Sequence, residues 1–251
     1  MKREELKEFL DEKAAFYESP DFISTDPIQL VHQFNRKEDI EITGFLIATI
    51  AWGNRKSIIQ SGERMLSFMH HSPYEFIMNY SGSIKEKGVI HRTFNSLDFD
   101  FFLRSLRNIY ESSALESCFN APEGENRMQR RIAHFRQVFL STEHEKRSEK
   151  HLSDPLSNSA AKRLNMFLRW MCRSATNQVD FGIWKSIAPS ELYLPLDVHT
   201  ANVARKLELL NRKQNDWTAL EELMLVLREM DPTDPVKYYF ALFGLGAFEH
   251  F

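Results

Sequence analysis

Cysteine and glycine are scarce in this chain of 251 residues, which contains two of the former and nine of the latter. The two cysteines, Cys118 and Cys172, exclude a disulfide framework and are too few to bind an iron–sulfur cluster or a structural zinc by themselves. No apolar run reaches the roughly 18 residues that cross a bilayer. The charged N-terminus lacks the apolar region of a secretory signal. We therefore expect a cytoplasmic protein that does not enter a membrane.

Metal-ligand spacing is also missing. The nine histidines are scattered along the chain, and they do not form the short-spaced pairs that zinc sites use. We predict no catalytic metal and no cofactor, and the sequence gives no reason to expect an obligate protein partner.

Apolar residues recur at helical spacing along most of the chain, and the twenty phenylalanines favour bulky aromatic packing. A first helix contains Leu6, Phe9 and Leu10, and further helices are predicted over 28–34, 39–52, 56–68, 73–80, 97–110, 114–119, 126–140, 159–173, 198–209, 217–230 and 234–243. Residues 81–95 are interpreted as irregular linkage and 141–158 as a mobile loop, and no convincing strand pair is predicted. The prediction is an all-α fold forming a single unit over residues 1–251. Two helical subdomains with a cleft between them are the alternative.

Charge is unevenly distributed. The formal net charge of the chain is −3, yet residues 160–213 contain nine basic and four acidic side chains, a local charge of +5. A basic segment on an acidic body is compatible with a polyanionic partner such as nucleic acid.

Two predicted helix starts place a base and an acid in consecutive elements. Lys162 lies near the start of one helix and Asp197 directly precedes Val198 at the start of the next. An amine and a carboxylate can act as a nucleophile and its acid–base partner, and Arg163 and Arg169 would favour the neutral amine of Lys162 by charge repulsion. The alternatives are a solvated lysine and an aspartate that only caps its helix, which contributes about 1 kcal/mol.

Three segments resemble the helix-hairpin-helix DNA glycosylases, the superfamily of endonuclease III and 8-oxoguanine glycosylase. The segments are Phe45-Leu-Ile-Ala-Thr-Ile-Ala-Trp-Gly-Asn54, Ala160-Ala-Lys162-Arg-Leu-Asn-Met-Phe-Leu168 and Leu196-Asp197-Val-His-Thr-Ala-Asn-Val-Ala-Arg-Lys-Leu207. Residues 26–246 as a whole resemble an uncharacterised bacterial family, known only as a domain of unknown function, that is distantly similar to these glycosylases.

The resemblance implies an all-α, glycosylase-like fold with a modified hairpin, acting on duplex DNA. It implies that Asp197 is the catalytic carboxylate and Lys162 the catalytic amine found in bifunctional members. The further DNA-contacting candidates are Asn54, Arg55, Arg163, Arg169, Arg173, His199 and Thr200, and Trp184 is the candidate wall of a base pocket. Each has a structural alternative: a helix-ending turn for Asn54, solvated surface for the arginines, local hydrogen bonding or support of the acid for His199 and Thr200, and a buried core for the tryptophan.

The chain departs from the superfamily pattern before Lys162. The expected Leu-Pro-Gly-x-Gly hairpin is replaced by Asp154-Pro-Leu-Ser-Asn-Ser-Ala160, without the glycines that let backbone amides approach a phosphate. An inserted segment, 179–185, lengthens the interval between Lys162 and Asp197, and the four-cysteine cluster of endonuclease III is missing. Archaeal 8-oxoguanine glycosylases also have a modified hairpin and a long interval.

Three functional hypotheses follow. The leading one is a base-excision glycosylase with abasic-site lyase activity on damaged duplex DNA. The second is a non-catalytic nucleic-acid-binding module with the same fold. The third is an interaction protein that uses an aromatic surface and has no affinity for DNA.

Overall fold

The computed structural model describes residues 2–82, 84, 88–121, 124 and 126–251. Most of this part of the chain is helical, as the periodicity predicts. The α-helices are α1 (Arg3–Tyr17), α2 (Pro20–Thr25), α3 (Lys37–Ile50), α4 (Arg55–Phe68), α5 (Pro73–Met78), α6 (Ser96–Ser112), α7 (Arg127–Phe139), α8 (Lys162–Cys172), α9 (Val198–Lys206), α10 (Trp217–Met230) and α11 (Tyr238–Ala247). Shorter 3₁₀ helices span Pro27–Gln33, Leu115–Phe119, Lys146–His151, Pro155–Ser157, Ala175–Asn177, Pro189–Glu191 and Pro235–Lys237.

The chain divides into two compact units. A central unit comprises Thr25–Leu156, and a terminal unit combines Met1–Ser24 with Ser157–Phe251. The central unit is continuous in sequence, whereas the terminal unit assembles from both ends of the chain.

The central unit is organised around α3. Every residue from Ile40 to Ile50 is buried, which agrees with the apolar run that predicts a fully buried helix. Phe45 stacks on Phe102 of α6, with ring centroids 5.6 Å apart, and meets Phe135 of α7 edge-on at 5.3 Å. Contacts of this kind add directional aromatic attraction to the burial of apolar surface.

A short antiparallel hairpin corrects the prediction of no strand pair. Strands β1 (Val89–His91) and β2 (Phe94–Asn95) are joined by the turn residues Arg92 and Thr93. The strands have three and two residues, too few to show an alternating pattern. The turn also lacks the glycine or asparagine that usually marks a hairpin, and Arg92 itself adopts a left-handed φ of 51°. Residues 83 and 85–87 of the predicted linkage lie outside the described part of the chain.

The interpretation of residues 141–158 as a mobile loop is wrong for the segment around Lys146–His151. Ser148 and His151 are buried, and both contact the fully buried carboxylate of Asp98 at the start of α6. Polar composition predicts a mobile loop, but two of the polar side chains, Ser148 and His151, point inward towards the carboxylate of Asp98.

The terminal unit packs α1 and α9 against α11. Tyr238 to Leu245 are all buried, so α11 is the apolar centre of this unit. Helix α10 spans Trp217–Met230, the range that the sequence predicts, and Asp216 caps it by accepting a hydrogen bond from the Ala219 amide at 3.0 Å.

Candidate functional site

Asp197 caps the start of α9, as predicted. Its Oδ1 accepts a hydrogen bond from the Thr200 amide at 2.9 Å, and the Thr200 hydroxyl accepts one from the Asp197 amide at 2.8 Å. This reciprocal capping box fixes the rotamer of the acid. Leu194 and Leu196 are buried and anchor the chain just before it. Among the described residues, Oδ2 of Asp197 accepts no hydrogen bond, and the side chain is partly exposed.

Thr200 and His199, two neighbours of Asp197, differ in their exposure to solvent. Thr200 is fully buried, and its hydroxyl belongs to the capping box, so it supports the acid and has no surface for a phosphate. His199 is exposed, with its ring edge-on to Phe243 at 6.1 Å between centroids. Of these two DNA-contacting candidates, only His199 is accessible.

Lys162 begins α8, three residues later than predicted. The preceding turn contains two left-handed residues, Asn158 with φ 63° and Ala161 with φ 45°. The Asn158 side-chain oxygen accepts from the Thr218 amide at 3.2 Å, and its backbone oxygen accepts from the Trp217 amide at 3.0 Å. The turn is therefore bound to the start of α10. It has the left-handed conformation that glycine usually supplies, although it contains no glycine.

Lys162 and Arg163 are both partly buried in the first turn of α8. Burial lowers the pKa of the Arg163 guanidinium to about 10, so this side chain still carries its charge at neutral pH. Lys162 and Asp197 are thus the first residue of α8 and the cap of α9, the next α-helix in the same unit.

Arg169 and Arg173 do not lie on an exposed basic face. Arg169 is 1% exposed, and its Nε donates to Asp180 Oδ1 at 3.2 Å. Arg173 is 4% exposed, and its guanidinium lies 2.6 Å from Glu18 Oε1 and 2.7 Å from both Asp180 Oδ2 and Asp234 Oδ2. Carboxylates occupy the donors of Arg173, and the guanidinium of Arg169 is buried 4.5 Å from the Tyr239 ring centroid, so neither side chain can reach a phosphate. The expectation that these two arginines contact DNA is therefore corrected: they form a buried ionic cluster.

Trp184 is 1% exposed and meets Phe167 edge-on at 5.2 Å. Its amide donates to the Met171 carbonyl at 2.9 Å, so the inserted segment folds back onto α8. Trp184 also borders a surface cavity of about 470 Å³ in the terminal unit, together with Thr176 and Lys185. A side chain this buried contributes to the wall of the cavity but offers little face for base stacking.

Asn54 and Arg55 lie at the turn between α3 and α4, in the central unit. Gly53 has φ 96°, a conformation that suits glycine. Asn54 is exposed and caps α4 by accepting from the Ser57 amide at 3.3 Å. The Nη2 of Arg55 lies 3.9 Å from Asp26 Oδ2. Asn54 is thus accessible, whereas Arg55 is oriented towards an acid of its own unit.

The polar network around Asp98 was missed by sequence reasoning. Arg147 Nη1 donates to its Oδ1 at 2.7 Å, the Ser148 hydroxyl donates to the same oxygen at 2.6 Å, and His151 Nε2 lies 3.2 Å from Oδ2. The pattern Asn95-Ser-Leu-Asp98 is a capping-box signal that predicts the start of α6. No local signal links it to residues about fifty positions later.

Within the described residues, no group of three or more histidine, cysteine, aspartate or glutamate side chains is arranged to bind a metal ion. No helix among these residues combines the length and apolar character needed to cross a membrane. No curated protein and no solved structure matches the chain. The model of a family described as a protein of unknown function, DUF2400, matches residues 26–248, and the chain therefore belongs to that family.

Proposed function

We propose that this protein excises damaged bases from duplex DNA and cleaves the resulting abasic site, with Asp197 as the catalytic carboxylate and Lys162 as the nucleophile. The observation that carries the proposal is the arrangement of Asp197. Thr200 fixes Oδ1 of Asp197 through hydrogen bonds, while Oδ2 accepts no hydrogen bond from the described residues. The Asp197 side chain is also partly exposed. A preoriented carboxylate of this kind can stabilise positive charge that develops on a sugar.

The proposed chemistry begins with attack of the neutral Lys162 amine on C1′ of the damaged nucleotide. The bond from C1′ to the base breaks, and the base leaves with the electron pair and takes up a proton. Asp197 accepts the proton that the amine loses. Asp197 then returns this proton to the ring oxygen as the sugar ring opens to the imine. The Asp197 carboxylate next takes a proton from C2′, a double bond forms between C2′ and C3′, and the phosphate leaves C3′ with the electron pair of the broken bond.

The turn before Lys162 adds support. Left-handed backbone at non-glycine residues costs free energy and persists only where the surroundings enforce it. Here Asn158 and Ala161 adopt it beside the proposed nucleophile, fastened to α10. Asn54, exposed at its own turn in the central unit, remains the proposed side chain that fills the duplex when a base is extruded.

The non-catalytic nucleic-acid-binding module is retained as a second candidate, because one observation favours it. Burial of Arg169 and Arg173 removes two of the predicted DNA contacts from the terminal unit. This candidate predicts salt-dependent DNA binding without any product.

The test is borohydride trapping of the purified chain on duplex oligonucleotides that carry an abasic site, 8-oxoguanine or uracil. Borohydride reduces the imine to a stable amine, so an active lyase becomes covalently attached to DNA. We expect an adduct with the native protein and none with Lys162→Gln. Lys213→Gln is the matched control, because Lys213 is an exposed lysine of the same unit.

Asp197→Asn should retain the helix cap, since asparagine caps as well as aspartate, yet lose about 100-fold or more in base release, as expected for removal of an acid–base group. Glu208→Gln, an equal change of charge at an exposed position, should leave activity unchanged. Full turnover by Asp197→Asn would disprove its catalytic role. Tight binding without adduct or base release on all three substrates would favour the non-catalytic module.

A further inference from the structure

The tip of the β1–β2 hairpin touches the turn that contains Asn54. A β-carbon added at Gly53 would lie 2.5 Å from Nη1 of Arg92, closer than real β-carbons approach other atoms. The Arg92 side chain therefore lies against Gly53, whose left-handed φ of 96° suits glycine. The contact places a guanidinium beside the exposed Asn54.

Buried polar contacts fix the two segments together. His91, which is 2% exposed, has its Nε2 2.9 Å from the Trp52 carbonyl and its Nδ1 3.1 Å from the Ser61 hydroxyl. On the other side of the hairpin, Arg147 Nη2 donates to the Thr93 carbonyl at 3.0 Å. The hairpin tip is thus attached on both sides of Arg92, which keeps that residue in its left-handed conformation with φ 51°.

Arg92 differs from the other arginines of the central unit. Within the part of the chain that the structure describes, its guanidinium forms no ion pair and no hydrogen bond, and it is exposed. The remaining arginines of this unit all have a polar or electrostatic partner; examples are Arg36 with Glu38, Arg104 with Asp100 and Arg136 with Glu149. The fold therefore holds the backbone of Arg92 in a strained conformation, and its donors have no hydrogen-bond partner among the described residues.

We propose that Arg92 binds a backbone phosphate of the nucleic acid next to the Gly53–Asn54 turn. The planar guanidinium offers parallel N–H donors that match two phosphate oxygens. Asn54 and Lys56, both exposed near the start of α4, extend the same polar edge of the central unit. The inference rests on the proposed function for the identity of the ligand, but it does not depend on Lys162 or on catalysis.

The test is equilibrium binding of the full chain to a short fluorescent duplex that contains a stable abasic analogue, measured by anisotropy between about 50 and 200 mM salt. The logarithm of the binding constant falls linearly with the logarithm of salt concentration. We expect Arg92→Gly to make the slope of this dependence shallower by about 0.9, the value of one phosphate contact. Glycine also relieves the left-handed strain, so the melting temperature should stay the same or rise. Arg92→Lys should retain most of the slope. Arg36→Ala removes the same charge from an ion-paired arginine and should leave the slope unchanged.

An unchanged slope in Arg92→Gly, with DNA bound by the native chain, would overturn this inference alone. Loss of slope in Arg92→Gly without any borohydride adduct on the native chain would support the inference and disprove lyase activity. If the native chain binds neither duplex nor single-stranded DNA, both proposals fail.

Discussion

At the scale of single residues, Asp98 shows how a buried charge is stabilised. Its side chain is inaccessible to solvent, and burial by itself raises the pKa of the carboxyl. The adjacent His151 imidazole, with Nε2 3.2 Å from Oδ2, and hydrogen bonds from the Asn95 amide and the Ser148 hydroxyl outweigh burial and move the pKa of Asp98 well below its ordinary value. The ionised form is therefore favoured in the folded state relative to the unfolded chain.

A lowered folded pKa gives stability that is present above the unfolded pKa of about 3.9 and is lost as pH falls through the folded value. Asp98→Asn should cost the central unit about 2 kcal/mol at neutral pH, because it removes charge-assisted hydrogen bonds. The difference in free energy of unfolding between the native chain and the variant should shrink below about pH 4, where protonation of the Asp98 carboxyl begins to reduce the stability of the native chain. Urea unfolding at neutral and acidic pH measures it, with the exposed Glu143→Gln as control. A difference that is constant with pH would contradict the role of the charge.

At the scale of elements, the packing of α1 on α11 depends on one position without a side chain. A β-carbon at Gly244 would lie 2.2 Å from the Tyr17 ring. Tyr17 in turn donates to Glu249 Oε1 at 2.5 Å, and burial, with this acid as a further cause, raises the pKa of Tyr17 to about 12. The ring is therefore held between α11 and the C-terminal segment and cannot easily move aside.

We expect Gly244→Ala to separate α1 from α11 and to lower the free energy of unfolding by about 2 kcal/mol, as overpacking does. Gly246→Ala should cost less, because its β-carbon comes no closer than 3.0 Å to Val203. Thermal melting of the two variants provides the comparison. If α1 can shift freely, Gly244→Ala would instead stabilise the chain by about 1 kcal/mol through the higher helix propensity of alanine.

At the scale of the whole molecule, the ionic cluster of the terminal unit connects distant parts of the chain. Arg173 contacts Glu18 across 155 positions of sequence, and it also contacts Asp180 and Asp234. One cation thus bridges three carboxylates, which come from the N-terminal segment, the inserted segment and the turn before α11. Their mutual repulsion would otherwise oppose assembly of this unit.

Arg173→Met should therefore cost about 4 kcal/mol, the usual result of leaving buried charges without their partner. Amide hydrogen exchange should accelerate in α1 and α8 but not in α3 or α6, which belong to the central unit. Arg3→Met removes an exposed ion pair with Glu229 and should change stability by at most about 1 kcal/mol. Equal acceleration in both units would show that the cluster does not act locally.

Local chemistry explains which features the sequence could predict. Periodicity and capping residues located α10 and the cap at Asp197, because both signals lie within a few adjacent residues. The start of α8 was predicted too early, since the left-handed Ala161 delays the helix and alanine carries no signal for that conformation. The burial of Arg173 could not be predicted, because it depends on Glu18 at the other end of the sequence. The roles of Lys162 and Asp197 remain predictions.

The division of the terminal unit between the two ends of the chain also has a consequence during synthesis. Ribosomes add about 5–20 residues per second, so α1 emerges long before the helices that cover Leu6, Leu10 and Ala14 exist. The central unit, whose sequence is continuous, can fold before α11, the helix on which α1 packs, has been synthesised. The charged residues of this segment favour its contact with water until α11 has been translated.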